Sequence, residues 1–129
     1  MTDNKKGLEP KLSKQDAEVL RVLENAGHTY FMERKGKGNN VVYKILSKRC
    51  WHSVTPFDLN RPELEGEVRI EYKDGFYVAF SEEGILKVSS DKKVAEDIAL
   101  AKAQEYYRAH LWKGISANTA EKIRNRFAA

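Results

Sequence analysis

Apolar residues recur along this chain with two different periods, and each change of period marks an element. Between Ser13 and Ala26 they follow helical spacing, with Ala17, Val19, Leu20 and Leu23 toward one side. Ser13 stands at the N-cap position, Asp16 is the third helical residue, and Leu12 is placed for a staple contact. Gly27 supplies a left-handed stop. The pattern therefore predicts a first helix. Residues 30–34 and 41–48 are rich in aromatic and β-branched side chains, which favour strands. Gly36-Lys37-Gly38-Asn39-Asn40 between them tolerates positive φ, so the two predict a hairpin.

Strict alternation begins at Glu67. Val68, Ile70 and Tyr72 alternate with Glu67, Arg69, Glu71 and Lys73, which predicts a strand with one buried and one wet face. Asp74-Gly75 is a two-residue hairpin turn. Phe76, Val78 and Phe80 are expected to continue the inward face, and residues 85–88 form a third strand after Glu83-Gly84. Ser90 or Asp91 then caps a helix running to about Leu111 and closed by Gly114. Its apolar positions, from Val94 and Ala95 to Tyr106 and Tyr107, cover more than one stripe, so packing against both the sheet and another helix is expected. Asn118 with Glu121 predicts the start of a final helix with Ala120, Ile123 and Phe127 facing in.

Residues 50–66 hold Pro56 and Pro62 and keep no period, which reads as a long loop of the kind that often carries function. The resulting expectation is an α+β chain: an N-terminal helix, an antiparallel sheet of about five strands and two C-terminal helices. Residues 1–11 are expected to form a flexible arm and residues 12–129 a single domain.

Composition narrows the classes. The 129 residues suffice for one core, and 41% hydrophobic with 33% charged residues suits a folded chain. A formal charge of +4 permits a polyanionic partner without demanding one. The lone Cys50 cannot close an internal disulfide. Residues 1–11 lack the apolar run of a signal peptide, and no stretch is long enough to span a membrane, so a cytoplasmic location is expected. His28, Cys50, His52 and His110 have no metal-ligand spacing, and Gly36-Lys37-Gly38 is not a nucleotide loop, so no cofactor is expected. His28, just after Gly27, is placed to cap the first helix.

Three functional readings remain. The first is nucleic-acid binding. Arg34, Lys35 and Lys37 flank the glycine-rich turn, Lys44, Lys48 and Arg49 follow on the return strand, and Lys92 and Lys93 sit at a helix N-terminus that favours anions. Trp51, Tyr30 or Tyr43 could stack on an unpaired base. Lys92-Lys93-Val94-Ala95-Glu96, followed by Ala99 and Ala103, resembles the last helix of double-stranded-RNA-binding domains. That resemblance implies phosphate contacts from the two lysines beside a three-stranded sheet.

The second reading is a protein-interaction module (adaptor, inhibitor or subunit) or a self-associating chain. It rests on the aromatic end of the long helix at Tyr106, Tyr107 and Trp112, which the last helix is expected to cover. The third is a metal-dependent nuclease. Pro56-Phe57-Asp58 resembles the first half of the restriction-endonuclease-like pattern, with Glu71 and Lys73 supplying the second carboxylate and the charge-stabilising amine. Four further acid–any–Lys triplets, such as Glu33-Arg34-Lys35, show that composition alone generates this pattern. Non-enzymatic binding is the expectation, with nucleic acid ahead of protein. The arrangement of charge decides between them: a continuous positive face supports nucleic acid, and scattered charge supports a protein.

Overall fold

The computed structural model describes residues 8–49 and 62–128. Helix α1 (Lys14–Asn25) leads into strands β1 (His28–Lys37), β2 (Asn40–Arg49), β3 (Glu63–Lys73), β4 (Phe76–Ser81) and β5 (Gly84–Ser89). Helices α2 (Lys92–Lys113) and α3 (Ala117–Phe127) follow. The five strands form one antiparallel sheet in sequence order, and the fold is α+β as its pattern predicts.

Local chemistry sets the boundaries. Ser13 accepts the amide of Asp16, and Asp91 accepts that of Lys93. The last helix starts earlier than Asn118 suggests, because the Ser116 hydroxyl already takes the Thr119 amide. Strand β3 starts at Glu63, inside the stretch expected to be loop. A bulge there breaks the alternation: Ile45 faces Gly66 while Leu46 faces Leu64, leaving Glu65 as the extra residue. The rest of that expected loop, residues 50–61, lies outside the described residues.

One face of the sheet carries the helices. Tyr30, Met32, Val41, Tyr43, Ile45, Val68, Ile70 and Ala79 point toward them and are buried. Helix α2 lies across all five strands on a single stripe, Ala95, Ala99, Ala103, Tyr107 and Leu111, at four-residue spacing. Three alanines in succession let the helix backbone sit close to the sheet. α2 also touches α1, yet Val94 and Ile98 stay exposed beside the buried stripe. At its far end Gly114 meets Leu23 and Tyr30, where a β-carbon would come within 2.9 Å of Leu23 Cδ2. α3 packs on α1 through Ala120 and Ile123.

Residues 8–11, assigned by their polarity to an arm, include contacts that fasten them to β1 and to α2. Leu8 is buried, its carbonyl accepts the Gln104 amide at 2.8 Å, and the Glu9 carboxylate accepts the Met32 amide at 3.0 Å. Glu9 thereby occupies one amide on the β1 edge that another strand could otherwise use.

Phe76, Val78 and Phe80 do not continue the inward face. The turn at Asp74-Gly75 has positive φ at both residues (51° and 86°), and pairs Lys73 with Phe76. Residues directly paired across strands share a face. Phe76, Val78 and Phe80 therefore join Lys73, Glu71 and Arg69 on the outer side, while Tyr77 and Ala79 point inward.

Candidate functional site

The basic residues expected to track phosphates are divided among several surfaces. Lys35, Lys37, Lys44 and Lys48 lie at outward-facing register positions of β1 and β2. Arg34 has the opposite parity and is bound on the helix side, 3.1 Å from Glu96 and over the Tyr43 ring. Arg49 closes a small cleft of about 200 Å³ with His28 and Gly114. Lys93 reaches Asp97 at 3.4 Å on the first turn of α2, and Lys92 stands beside it. Trp51 lies outside the described residues. Tyr30 and Tyr43 are core residues, so neither offers a ring to a base.

Acids accompany the outward lysines. Lys44 stands between Glu33 on β1 and Glu67 on β3, Lys35 approaches Glu33 at 3.9 Å, and Arg69 bonds Glu67 at 2.7 Å. Charge on this face is interleaved rather than continuous. The nuclease set fares similarly: Glu71 and Lys73 share the exposed outer column, and Asp58 lies outside the described residues. Among the described residues no group of three or more His, Cys, Asp or Glu could hold a metal ion.

A polar cavity of about 360 Å³ opens where the β3 bulge, the β4–β5 turn and the C-terminal half of α2 meet. The bulge aims Glu65 at the buried Ser47, whose hydroxyl donates to it at 2.6 Å, with His110 Nδ1 at 3.6 Å from the other oxygen. Burial, followed by Lys113, pushes the His110 pKa down, so this pair is a weak ion pair near neutral pH. Tyr106 donates to Glu83 at 2.7 Å, and Lys102 bridges Glu83 and Glu105. The Tyr106 hydroxyl, followed by Lys102, holds the Glu83 carboxyl below its usual range. These groups satisfy one another, and the cluster works as the seam joining α2 to the sheet.

His28 does not cap α1. It is buried against Tyr30, ring centroids 4.6 Å apart, with Nε2 lacking any hydrogen-bond partner. Burial, followed by Arg49, pushes its pKa down, disfavouring the protonated ring.

The aromatic end of α2 is covered from within. Tyr107 is buried and its hydroxyl, pushed up to about 12 by burial, points at the Tyr30 carbonyl. The Trp112 indole donates to Asp16 at 2.7 Å, and its ring lies under Arg124 of α3. That end offers no free aromatic surface.

What remains open is the outer face over β4 and β5. Phe76, Ile85 and Val88 are 48%, 70% and 50% exposed, with Val78 and Phe80 half-buried between them. The helices described here pack on the other face. Toward β1 the outer face turns polar, carrying Lys35, Lys37, Lys44 and Lys48, and its Leu46 is buried. The open part is thus an apolar patch of five side chains bordered by the Glu67–Lys73 column. None of these five residues stood out from composition, although the parity of a two-residue turn places the β4 residues outward.

No protein-family model, curated protein or solved structure matches the chain. The five-stranded meander also departs from the three-stranded sheet that the double-stranded-RNA-binding resemblance implies. Among the described residues, no helix is long and apolar enough to cross a membrane.

Proposed function

We propose that this protein is a protein-interaction module whose docking surface is the outer face of β4 and β5. The observation that carries the reading is the contiguous patch of Phe76, Val78, Phe80, Ile85 and Val88 left open beside an interleaved charge column. Magnitudes favour it. Covering the exposed parts of five large apolar side chains is worth on the order of 5 kcal/mol before the costs of association. An exposed ion pair contributes about 0–1 kcal/mol. Phosphate tracking needs many unpaired cations on one surface, whereas Arg34, Arg69 and Lys93 are each held by an acid of their own chain. Interleaved charge suits instead the polar rim of a protein interface.

Two double variants test this. Immobilised wild-type protein should recover a partner polypeptide, and Phe76→Glu with Ile85→Glu should lose it. Val94→Glu with Ile98→Glu, on exposed α2 positions (36% and 39%), should keep it. Equal recovery by both variants would remove the outer face from the interface. Recovery of nucleic acid in place of protein, lost on changing Lys92 and Lys93 to Ala, would return the phosphate reading to first place.

A further inference from the structure

We propose that the outer face of β3, β4 and β5 docks against the same face of a second copy of this chain, about a two-fold axis in the interface plane perpendicular to the strands. The inference rests on the docking reading above and names the partner.

A two-fold interface must be complementary to itself, so each residue that meets another must be met by it in return. An axis across the strands keeps every strand opposite its own counterpart and reverses its direction. The outer column of β3 reads Glu67, Arg69, Glu71, Lys73, acid alternating with base. Reversed about the level of Ile70, it sets Glu67 against Lys73 of the other copy and Arg69 against Glu71. Every charge in the column then meets its opposite, twice over.

The apolar columns obey the same centre. Register places Phe80 and Ile85 level with Arg69, and Val78 and Val88 level with Glu71. The operation that pairs the charges therefore sets Phe80 against Val78 and Ile85 against Val88. The charged and apolar columns are independent features of three strands, and one axis satisfies them except at Phe76, which it carries to the level of Glu67 at the end of β4. Glu71 and Lys73 form no ion pair within the chain among the described residues, so both are available. Glu67 and Arg69, bonded to each other at 2.7 Å in the single chain, must exchange that partner for Lys73 and Glu71 of the other copy. On β1 the same axis brings Lys35 opposite Lys37, an unfavourable contact two strands away at the rim, where sheet twist opens the interface.

Size sets the expected strength. Three strands about 4.8 Å apart and about 20 Å long present roughly 300 Å² per copy. A stable interface takes roughly 800 Å² from each partner, so the dimer should be weak and exchange with monomer as concentration changes.

Charge exchange tests the pairing. Arg69→Glu leaves two acids facing two acids, and Glu71→Lys leaves two bases facing two bases. Both positions are exposed, so each variant should keep the wild-type melting temperature, checked first. In sedimentation equilibrium from micromolar to millimolar protein, wild type should dimerise and each variant should bind itself about tenfold or more weakly. An equimolar mixture of the two should form a heterodimer near wild-type affinity, because each altered residue then faces an opposite charge. Wild type that stays monomeric throughout, a dimer indifferent to both changes, or a mixture that fails to recover would each overturn the two-fold pairing. If the pairing fails while Phe76→Glu with Ile85→Glu still loses a captured protein, the face docks a different chain. If both fail, the docking reading falls as well.

Discussion

A chain ending at Gly114 should be less stable than the full protein by about 3–5 kcal/mol, on the scale of large apolar side chains stripped from a core. Helix α3 buries Ala120 and Ile123 and packs Phe127 on the core cluster, so its removal uncovers α1 as well as losing those residues. Trp112 loses the Arg124 guanidinium above its ring, and Glu18 loses one of its two arginines, Arg126 at 3.0 Å. The backbone entropy of the deleted segment offsets part of the loss, which is why the net figure is smaller than the gross burial. A domain of this size has roughly 5–15 kcal/mol in total, so the shortened chain should be marginal. Urea unfolding measures it directly: the midpoint should fall far below wild type. An unchanged midpoint would mean that α3 contributes no packing energy.

Ala99→Leu should cost about 3 kcal/mol, the upper end for overpacking, because α2 crosses the sheet on alanines. Ala95, Ala99 and Ala103 are fully buried, and Ala79 on the inward face of β4 is buried beneath the helix layer. A leucine at 99 must push the helix off the sheet or leave its rotamer, and the close approach gives it nowhere to go. Ala101→Leu, on the exposed side of the same helix, should change stability by only a few tenths of a kcal/mol, since the two residues have similar helix propensity. Thermal melts of the pair separate the outcomes. Equal melting temperatures would show that the alanine stripe leaves room, and the tight helix–sheet contact would be wrong.

The frame of the molecule was legible where a single residue type has a single local job. Ser13 and Asp91 cap helices because their oxygens reach an amide two or three residues on, and Asp74-Gly75 closes a hairpin because both residues accept positive φ. Strand β3 was half-legible: alternation runs cleanly from Glu67, but the bulge at Glu65 resets the parity, so residues 63–66 resemble loop. The outward direction of Phe76, Val78 and Phe80 was missed for a different reason. Hydrophobicity suggested burial, whereas turn geometry ties Phe76 to the face of Lys73. A hydrophobic residue that turn parity sends to the open face is the informative kind, because folding of the chain alone does not account for it.

The basic residues mislead in the opposite direction. Arg34, Lys35, Lys37, Lys44, Lys48, Arg49, Lys92 and Lys93 form a suggestive set along the chain. Strand alternation then splits Arg34 and Arg49 from the lysines, and acids distant in sequence, such as Glu96 for Arg34, neutralise what the local pattern presents as free charge. Ion pairs between residues far apart in sequence cannot be read from composition or spacing.

Solvent accessibility of the outer-face methyl groups tests the central claim most directly. A soluble paramagnetic chelate broadens the NMR signals of exposed methyls, and Val78, Ile85 and Val88 report on the patch while Val94 and Ile98 on α2 serve as exposed controls. As protein concentration rises, the three outer-face residues should become shielded from the chelate and the two controls should not. Outer-face methyls that stay as accessible as the controls at every concentration would contradict self-docking of this face.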